Sequence, residues 1–280
     1  MREIPSSAIT ETVAKLCEQA NLKLPCGMRE CISGSIQREE SELCRSVLGD
    51  IVSNIDCAAE LGVPICQDTG MAVIFADIGQ DVHITGDAFE DAVNAGVAQG
   101  YVNGKLRLSI VGDPLERRNT NNNTPAVIHT RIVPGDKIHL MAAPKGFGSE
   151  NMSRVFMLKP ADGIEGVKEA ILTAVKDAGP NACPPMVVGV GIGGTFEKCA
   201  YLAKKALTRD LNEESPVEYV RDLEKEMLEK INKLGIGPGG LGGTQTALAI
   251  NIETYPTHIA GLPVAVNICC HVNRHITRVL

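Results

Sequence analysis

The sequence predicts an α+β fold, in which a helical N-terminal region is followed by a mixed β-sheet with helices packed around it. Helical patterns fill the first third of the chain, and short strand-like runs alternate with further helices after it. This order is typical of α+β or mixed-sheet domains rather than of a regular βαβ array. Since no repeat or low-complexity linker interrupts the chain, we expect a single domain over residues 1–280. Its helical part is about residues 1–64, and its mixed part is about residues 65–280.

The helices are predicted from apolar residues that recur on one face. Residues 6–25 begin with a serine cap and place Ile9, Val13 and Leu16 together. The segment at 215–235 is strongly charged, which predicts an exposed helix. The other predicted helices cover residues 38–62, 87–104, 163–179 and 195–207.

The strands are predicted from short runs rich in Val and Ile. Two of these runs flank Pro134–Gly135–Asp136, a sequence typical of a hairpin turn. The predicted strands lie within residues 71–79, 82–86, 124–133, 136–146, 184–194, 244–261 and 262–280.

Composition excludes several classes of protein. The net charge of −7 argues against nucleic acid as a partner. No segment reaches the roughly 18 apolar residues of a membrane span, and the N-terminus does not resemble a signal peptide. We therefore expect a cytoplasmic protein with no membrane partner.

Ten cysteines require an explanation other than disulfides, because a reducing cytoplasm disfavours disulfides. Buried thiols, ligands of a metal or cluster, and a nucleophile are the alternatives. Six cysteines are predicted to be buried core thiols, since free cysteine packs as a small apolar residue. Four lie within or beside helical patterns, and two more are given the same interpretation: Cys17, Cys31, Cys44 and Cys57, then Cys26 and Cys199. The remaining four occupy loops or strand ends, at Cys66, Cys183, Cys269 and Cys270.

Three glycine-rich loops are candidates for ligand binding. The segment GVGIGG at 189–194 matches a dinucleotide-binding pattern, but no second strand ending in an acidic residue follows at the required distance. Its glycines instead indicate a close approach of the backbone to something. Together, the three glycine-rich segments at 144–151, 189–194 and 235–246 suggest that backbone from several parts of the chain surrounds a small charged ligand.

Five motifs carry a family resemblance. They are CQDTG, KGFGSEN, NACPP, GVGIGGT and the terminal THIAGLPVAVNICCHVNR, in this order. Together they resemble the iron–sulfur-dependent class I fumarate hydratases and the related L-tartrate dehydratases, over nearly the whole chain from about residue 40. Within that family the chain resembles the alpha subunit of the two-subunit form, since single-chain members continue with a C-terminal domain.

The resemblance implies a [4Fe–4S] cluster held by Cys66, Cys183 and Cys270, which would make residues 1–280 a single cluster-binding domain. The offsets of the family motif favour Cys270 over its neighbour Cys269. Three thiolates leave one iron open to act as Lewis acid on a substrate hydroxyl. The implied reaction is the reversible dehydration of (S)-malate to fumarate, with L-tartrate dehydration as the alternative.

The resemblance also implies roles for residues around the cluster. Asp68 and His258 are the implied catalytic residues, although Asp68 as a turn residue and His258 as a core histidine are the plainer alternatives. The implied contacts to a small dicarboxylate substrate are Gln67, Asp68, Arg107, Lys145 and Gly148.

A beta subunit is the expected partner. The resemblance places the proton-abstracting base in the domain that this chain lacks, and we expect a heterodimer or heterotetramer. Two other classes remain open: an iron–sulfur scaffold or electron-transfer protein, and a zinc enzyme using Cys66, Cys183 and His258.

Overall fold

The computed structural model describes residues 1–280 and confirms the α+β class. The helices are α1 Ser6–Leu22, α2 Met28–Arg38, α3 Glu42–Leu61, α4 Phe89–Asn103, α5 Phe147–Glu150, α6 Gly163–Ala178, α7 Phe196–Ala206 and α8 Glu218–Asn232. The strands are β1 Arg2–Pro5, β2 Val73–Gly79, β3 Val82–Thr85, β4 Val127–Val133, β5 Ile138–Ala142, β6 Arg154–Leu158, β7 Met186–Gly193, β8 Ala247–Tyr255, β9 Leu262–Cys269 and β10 Ile276–Val279.

The chain divides into two compact units. Unit 1 comprises residues 1–25, 58–147 and 274–280, and unit 2 comprises residues 26–57 and 148–273. The single cluster-binding domain expected from the sequence stays a prediction. No helix in either unit has the length and apolar character needed to cross a membrane.

Unit 1 is built on a four-stranded sheet of order β10-β5-β2-β4, with β1 and β3 forming a separate parallel pair. Helix α1 packs against α4 so closely that glycines are required at the contact. A Cβ at Gly96 would lie 2.5 Å from the carbonyl oxygen of Thr10, and one at Gly100 would lie 2.6 Å from that of Ala14. Helix α1 begins at Ser6, but its N-cap is Pro5 and the predicted serine cap is absent. Ser6 Oγ instead accepts a hydrogen bond from Asp87 N.

The hairpin predicted at residues 134–136 is wrong. Strands β4 and β5 both form, but β2 lies between them, parallel to β4 and antiparallel to β5. The residues that follow β2 form hydrogen bonds with the end of β4 and with the predicted turn. Gln80 N donates to Val133 O, and Asp81 N donates to Gly135 O. Strand β2 carries apolar residues at consecutive buried positions. This pattern favours an inner position in the sheet, with a strand on each side.

Unit 2 is built on a four-stranded sheet of order β6-β9-β7-β8. Strand β7 is almost completely buried and carries Gly189, Gly191 and Gly193 of GVGIGG. A Cβ at Gly189 would lie 2.2 Å from Ala203 O, and one at Gly191 would lie 2.1 Å from Cys199 O. These glycines therefore allow α7 to pack on the strand, which accounts for the close approach without a dinucleotide.

Helix α8 is less exposed than its charge suggested. Its apolar face buries Val220, Leu223, Met227 and Ile231 in the core of unit 2, and its charged face points to solvent. An amphipathic helix carries both patterns at once, and the charged residues dominated the prediction.

The predicted core thiols divide into two groups. Cys17, Cys44 and Cys199 are buried as predicted, and Cys31 is half-buried. Burial raises the pKa of the Cys17 thiol to about 12 and also raises that of Cys199. The prediction is wrong for Cys26 and Cys57, which are exposed. Cys26 lies in the turn between α1 and α2, and Cys57 lies on α3 away from its buried Ala58.

A buried carboxylate organises the glycine-rich loop at 235–246. Glu39 is only 3% exposed, and its oxygens accept hydrogen bonds from the backbone N–H groups of Thr244 and Gln245 as well as those of Glu40 and Ser41. Burial alone would raise the pKa of Glu39, but these donors outweigh burial and hold it below its ordinary value. The charged carboxylate therefore stabilises the folded state.

We predict that Glu39→Gln lowers the free energy of unfolding by about 1–3 kcal/mol at neutral pH, because an amide cannot accept all of these bonds. Since the pKa of Glu39 is depressed in the folded state, its contribution is present above the unfolded pKa and is lost as pH falls through the folded value. The difference between wild type and variant should therefore narrow below about pH 4. Urea unfolding measured across pH tests this, with the exposed Glu40→Gln as matched control; an equal loss in both variants would contradict it.

Candidate functional site

The CQDTG motif of unit 1 forms a turn between α3 and β2. Its residues grade from surface to interior: Gln67 is exposed, Cys66 and Asp68 are half-buried, and Thr69 and Gly70 are buried. The motif therefore presents a thiol, an amide and a carboxylate near solvent while its second half is embedded in the unit.

The carboxylate of Asp68 is held by two backbone donors. Gly70 N donates to Oδ1 at 3.0 Å, and Phe147 N donates to Oδ2 at 2.9 Å. Glycine is needed at position 70, where φ is +75° and a Cβ would lie 2.7 Å from the backbone of Lys145. Asp68 is thus a turn residue, and these two backbone N–H donors fix its carboxylate in one orientation.

The backbone of the same turn is held by three buried side chains. Tyr101 donates to the carbonyls of Thr69 and Gly70 at 2.8 and 3.1 Å, and Asn123 Nδ2 donates to Gly70 O at 3.1 Å. Arg274 Nη2 donates to the carbonyl of Asp68. Burial raises the pKa of Tyr101, so its hydroxyl remains a donor. These residues were not among those predicted; the Asn-rich run around Asn123 and the terminal motif containing Arg274 were the available signals.

Unit 1 also places two predicted cationic residues beside this turn. Thr69 Oγ1 accepts from Arg107 N at 2.9 Å and donates to Arg107 O at 3.2 Å, while the Arg107 residue as a whole is exposed. Lys145 pairs with Met71 through two backbone bonds and is 5% exposed. Its Nζ donates to Gly146 O at 3.1 Å. Unit 1 therefore brings Asp68, Arg107 and Lys145 together.

Unit 2 brings together Cys183 and Cys270. Cys183 precedes β7 and Cys270 follows β9, and these two strands pair antiparallel with Val187 opposite Cys269. Both cysteines therefore lie at the same end of these two inner strands. Cys183 is exposed and Cys270 is half-buried, whereas Cys269 is 4% exposed within the strand.

The backbone next to Cys183 is tied to the segment after Cys270. His271 Nδ1 lies 3.0 Å from Cys183 O. A carbonyl can only accept, so Nδ1 carries the proton. Burial lowers the pKa of His271, which the bond to Cys183 opposes. The neutral ring therefore keeps its second nitrogen, Nε2, unprotonated.

Gly148 lies beside the same loops of unit 2. A Cβ added there would meet only Asn181 O, at 3.8 Å, and its φ is not left-handed. Folding thus gives no reason for a glycine at this position. The following residues are anchored on β9, because Asn267 Nδ2 donates to Glu150 Oε2 at 2.9 Å and Ile268 N donates to Ser153 Oγ at 3.1 Å.

His258 lies apart from these residues. It is exposed in the loop before β9, whereas Cys270 follows β9. A strand rises about 3.3 Å per residue, so the eight-residue β9 separates the two by roughly 20 Å or more. Its Nδ1 accepts from Ala260 N at 3.2 Å, which identifies Nε2 as the protonated nitrogen in the neutral ring. The catalytic role of His258 stays a prediction, and within unit 2 it does not adjoin Cys183 or Cys270.

The thiols suit an iron–sulfur cluster by their chemistry and exposure. Neither unit by itself forms a metal site of three or more His, Cys, Asp or Glu side chains. Cys66, Cys183 and Cys270 are each at least partly accessible on loops, unlike the buried thiols of raised pKa. Accessible thiolates are the ligands that such clusters require.

We predict that Arg274→Met destabilises the chain by about 1–3 kcal/mol, because the carbonyls of Asp68 and Pro144 lose their guanidinium donor. Amide hydrogen exchange at Gly70 should also accelerate as the turn loosens. Arg278→Met is the matched control, since this exposed side chain donates one hydrogen bond, to Gln19 Oε1 at 3.2 Å, and its loss should change stability by no more than about 0.5 kcal/mol. Equal unfolding free energies for the two variants would contradict the prediction.

Comparison with known proteins identifies the family. The chain is 40% identical over 273 residues to "Putative L(+)-tartrate dehydratase subunit alpha" of Methanocaldococcus jannaschii, covering 95% of each protein. It is 28% identical over 272 residues to the L(+)-tartrate dehydratase subunit alpha of Escherichia coli strain K12, covering 96% of this chain and 89% of that protein. Residues 10–279 match the family model described as fumarate hydratase (Fumerase). The chain therefore belongs to the fumarate hydratase family.

Proposed function

We propose that the chain is the alpha subunit of a cytoplasmic hydro-lyase that reversibly dehydrates (S)-malate to fumarate, using a [4Fe–4S] cluster. The observation that carries the proposal is the pair of accessible thiols, Cys183 and Cys270, at the same end of β7 and β9 in a chain of the fumarate hydratase family. Membership of that family supports hydration chemistry, and thiols on loops support a cluster rather than disulfides.

The proposed ligands are Cys66, Cys183 and Cys270. Cys269 is a poorer candidate, because it is paired within β9 and buried, whereas Cys270 lies just beyond the strand. When bound, a cluster with three protein ligands supplies an open iron as a Lewis acid for the departing hydroxyl.

The residues of unit 1 suit the binding of a dicarboxylate. The guanidinium of Arg107 can hold a carboxylate by two parallel hydrogen bonds. Asp68 is locked in orientation by its two backbone donors, so it can position a substrate hydroxyl or carry a proton at a fixed place. Gln67 is exposed next to it, and Lys145 adds positive charge nearby. These assignments follow the family motif and the arrangement around the turn.

Gly148 supports a further contact with substrate. Gly148 is exposed, and a Cβ added there would meet only Asn181 O at 3.8 Å, so a ligand can approach its backbone closely. A backbone N–H in that position can donate to a substrate carboxylate.

We propose that a beta subunit supplies the base that removes the proton from carbon. The two relatives are both named as alpha subunits, which supports a partner chain in a heterodimer or heterotetramer. Both carboxylate oxygens of Asp68 already accept a backbone hydrogen bond, so the proposal assigns this residue to positioning substrate or relaying a proton and leaves abstraction from carbon to the partner chain.

L-tartrate is the second candidate substrate, and the names of the relatives favour it. L-tartrate differs from malate by one additional hydroxyl. A site that pairs this hydroxyl discriminates strongly against malate, since buried polar groups would be left unpaired with the smaller substrate.

The first prediction from this proposal concerns the ligands. Anaerobic reconstitution should load about four irons per chain. Cys66→Ser, Cys183→Ser and Cys270→Ser should each abolish the visible absorption of the cluster. Cys269→Ser is the matched control and should retain it. Loss in Cys269→Ser with retention in Cys270→Ser would shift the assignment by one residue.

The second prediction concerns the reaction. The reconstituted chain alone should hold iron without turning over malate or fumarate, and addition of the beta subunit should restore turnover without additional metal. Anaerobic assays of the complex on malate, fumarate and L-tartrate should show the highest kcat/KM for malate and fumarate. Preference for L-tartrate would assign the second candidate, and hydratase activity of the chain alone would contradict the need for a partner.

A further inference from the structure

Cys183 has an unfavourable backbone conformation for a residue with a side chain. Its φ is +51°, in the left-handed region, and it directly precedes two prolines. Residues other than glycine adopt this region rarely, and they keep it only where surrounding contacts hold them there. The contacts of Cys183 therefore indicate what maintains the conformation.

The sheet alone does not hold this residue. The last paired position of β7 and β9 joins Val187 to Cys269, so Cys183 and Cys270 both lie beyond the ladder. The backbone N–H of Cys183 bonds locally to Pro180 O at 3.1 Å. Its carbonyl needs a partner from elsewhere in the unit.

His271 provides that partner twice. Its ring donates from Nδ1 to Cys183 O at 3.0 Å, and its backbone N–H approaches the same oxygen at 3.5 Å. His271 directly follows Cys270, so these contacts fix the backbone of one cysteine relative to the other.

We infer that His271 is a positioning residue for the cluster, because it holds the left-handed conformation of Cys183 and sets the spacing between Cys183 and Cys270. The inference rests on the proposed function, since it assigns both cysteines as ligands. It does not require His271 to touch the cluster or substrate. Residues that orient ligands in this way commonly change metal affinity by roughly 10–100-fold when they are lost.

Three substitutions of His271 separate the ring donor from other properties of the side chain. Asn places an N–H at the same number of bonds from Cα as Nδ1, Gln places its N–H one bond further, and Ala removes the donor. His83→Asn is the control, because this histidine is exposed on β3 of unit 1.

Each full-length variant is reconstituted with iron and sulfide under anaerobic conditions, and loss of cluster absorption is followed after addition of an iron chelator. Wild type, His271→Asn and His83→Asn should lose the cluster at similar rates. His271→Gln and His271→Ala should lose it roughly tenfold faster or more. Hydrogen exchange of the apo chain should also show faster exchange around residue 183 in the Gln and Ala variants.

Equal rates of loss in all variants would overturn the inference, as would an Asn variant as labile as the Ala variant. Unchanged exchange around residue 183 in the Ala variant would also overturn it. A wild-type chain that takes up no iron contradicts the proposed function, and the inference with it. That failure is visible in wild type before any variant is compared, so the two failures are distinguishable.

Discussion

The carbonyl groups of Asp68, Thr69 and Gly70 belong to no helix or strand, and each accepts a hydrogen bond from a buried side chain. Backbone groups that leave regular structure in an interior need such partners, since an unpaired buried carbonyl is costly. Tyr101 and Arg274 supply donors from distant parts of the chain. The orientation of Asp68 and the position of Cys66 on the same turn therefore depend on the complete fold of unit 1.

Close backbone packing is the second constraint on this structure. Aromatic residues make up only 3% of the chain, so the cores are filled by aliphatic side chains and by direct approach of backbones. Gly96 and Gly100 bring α4 onto α1, and Gly189 and Gly191 bring α7 onto β7. Gly189 and Gly191, which the sequence suggested for ligand binding, are thus used in packing. Gly148 is different, because nothing in the fold requires it to be glycine.

Local sequence patterns predicted the helices and strands more successfully than they predicted which strands pair with each other. The apolar runs of β7 and β9 were recognisable, as were the periodic faces of α1 and α6, because burial imposes those patterns residue by residue. The hairpin between β4 and β5 failed because strand order depends on β2, far away in sequence. Similarly, motifs indicated Asp68 and Cys183. They could not indicate Tyr101 or Asn123, whose importance lies in contacts made only after folding.

Charge gives the strongest physical reason for expecting a partner in the proposed reaction. The chain carries a net charge of −7, and a dianionic substrate must find local positive groups that overcome this field. Arg107 is exposed and suited to one carboxylate, whereas Lys145 is buried and donates to Gly146 O. With Arg107 bound to one carboxylate, the second depends on Lys145, on backbone N–H groups or on cations from another chain. The proposed beta subunit would meet this requirement if it contributed further cations as well as the base.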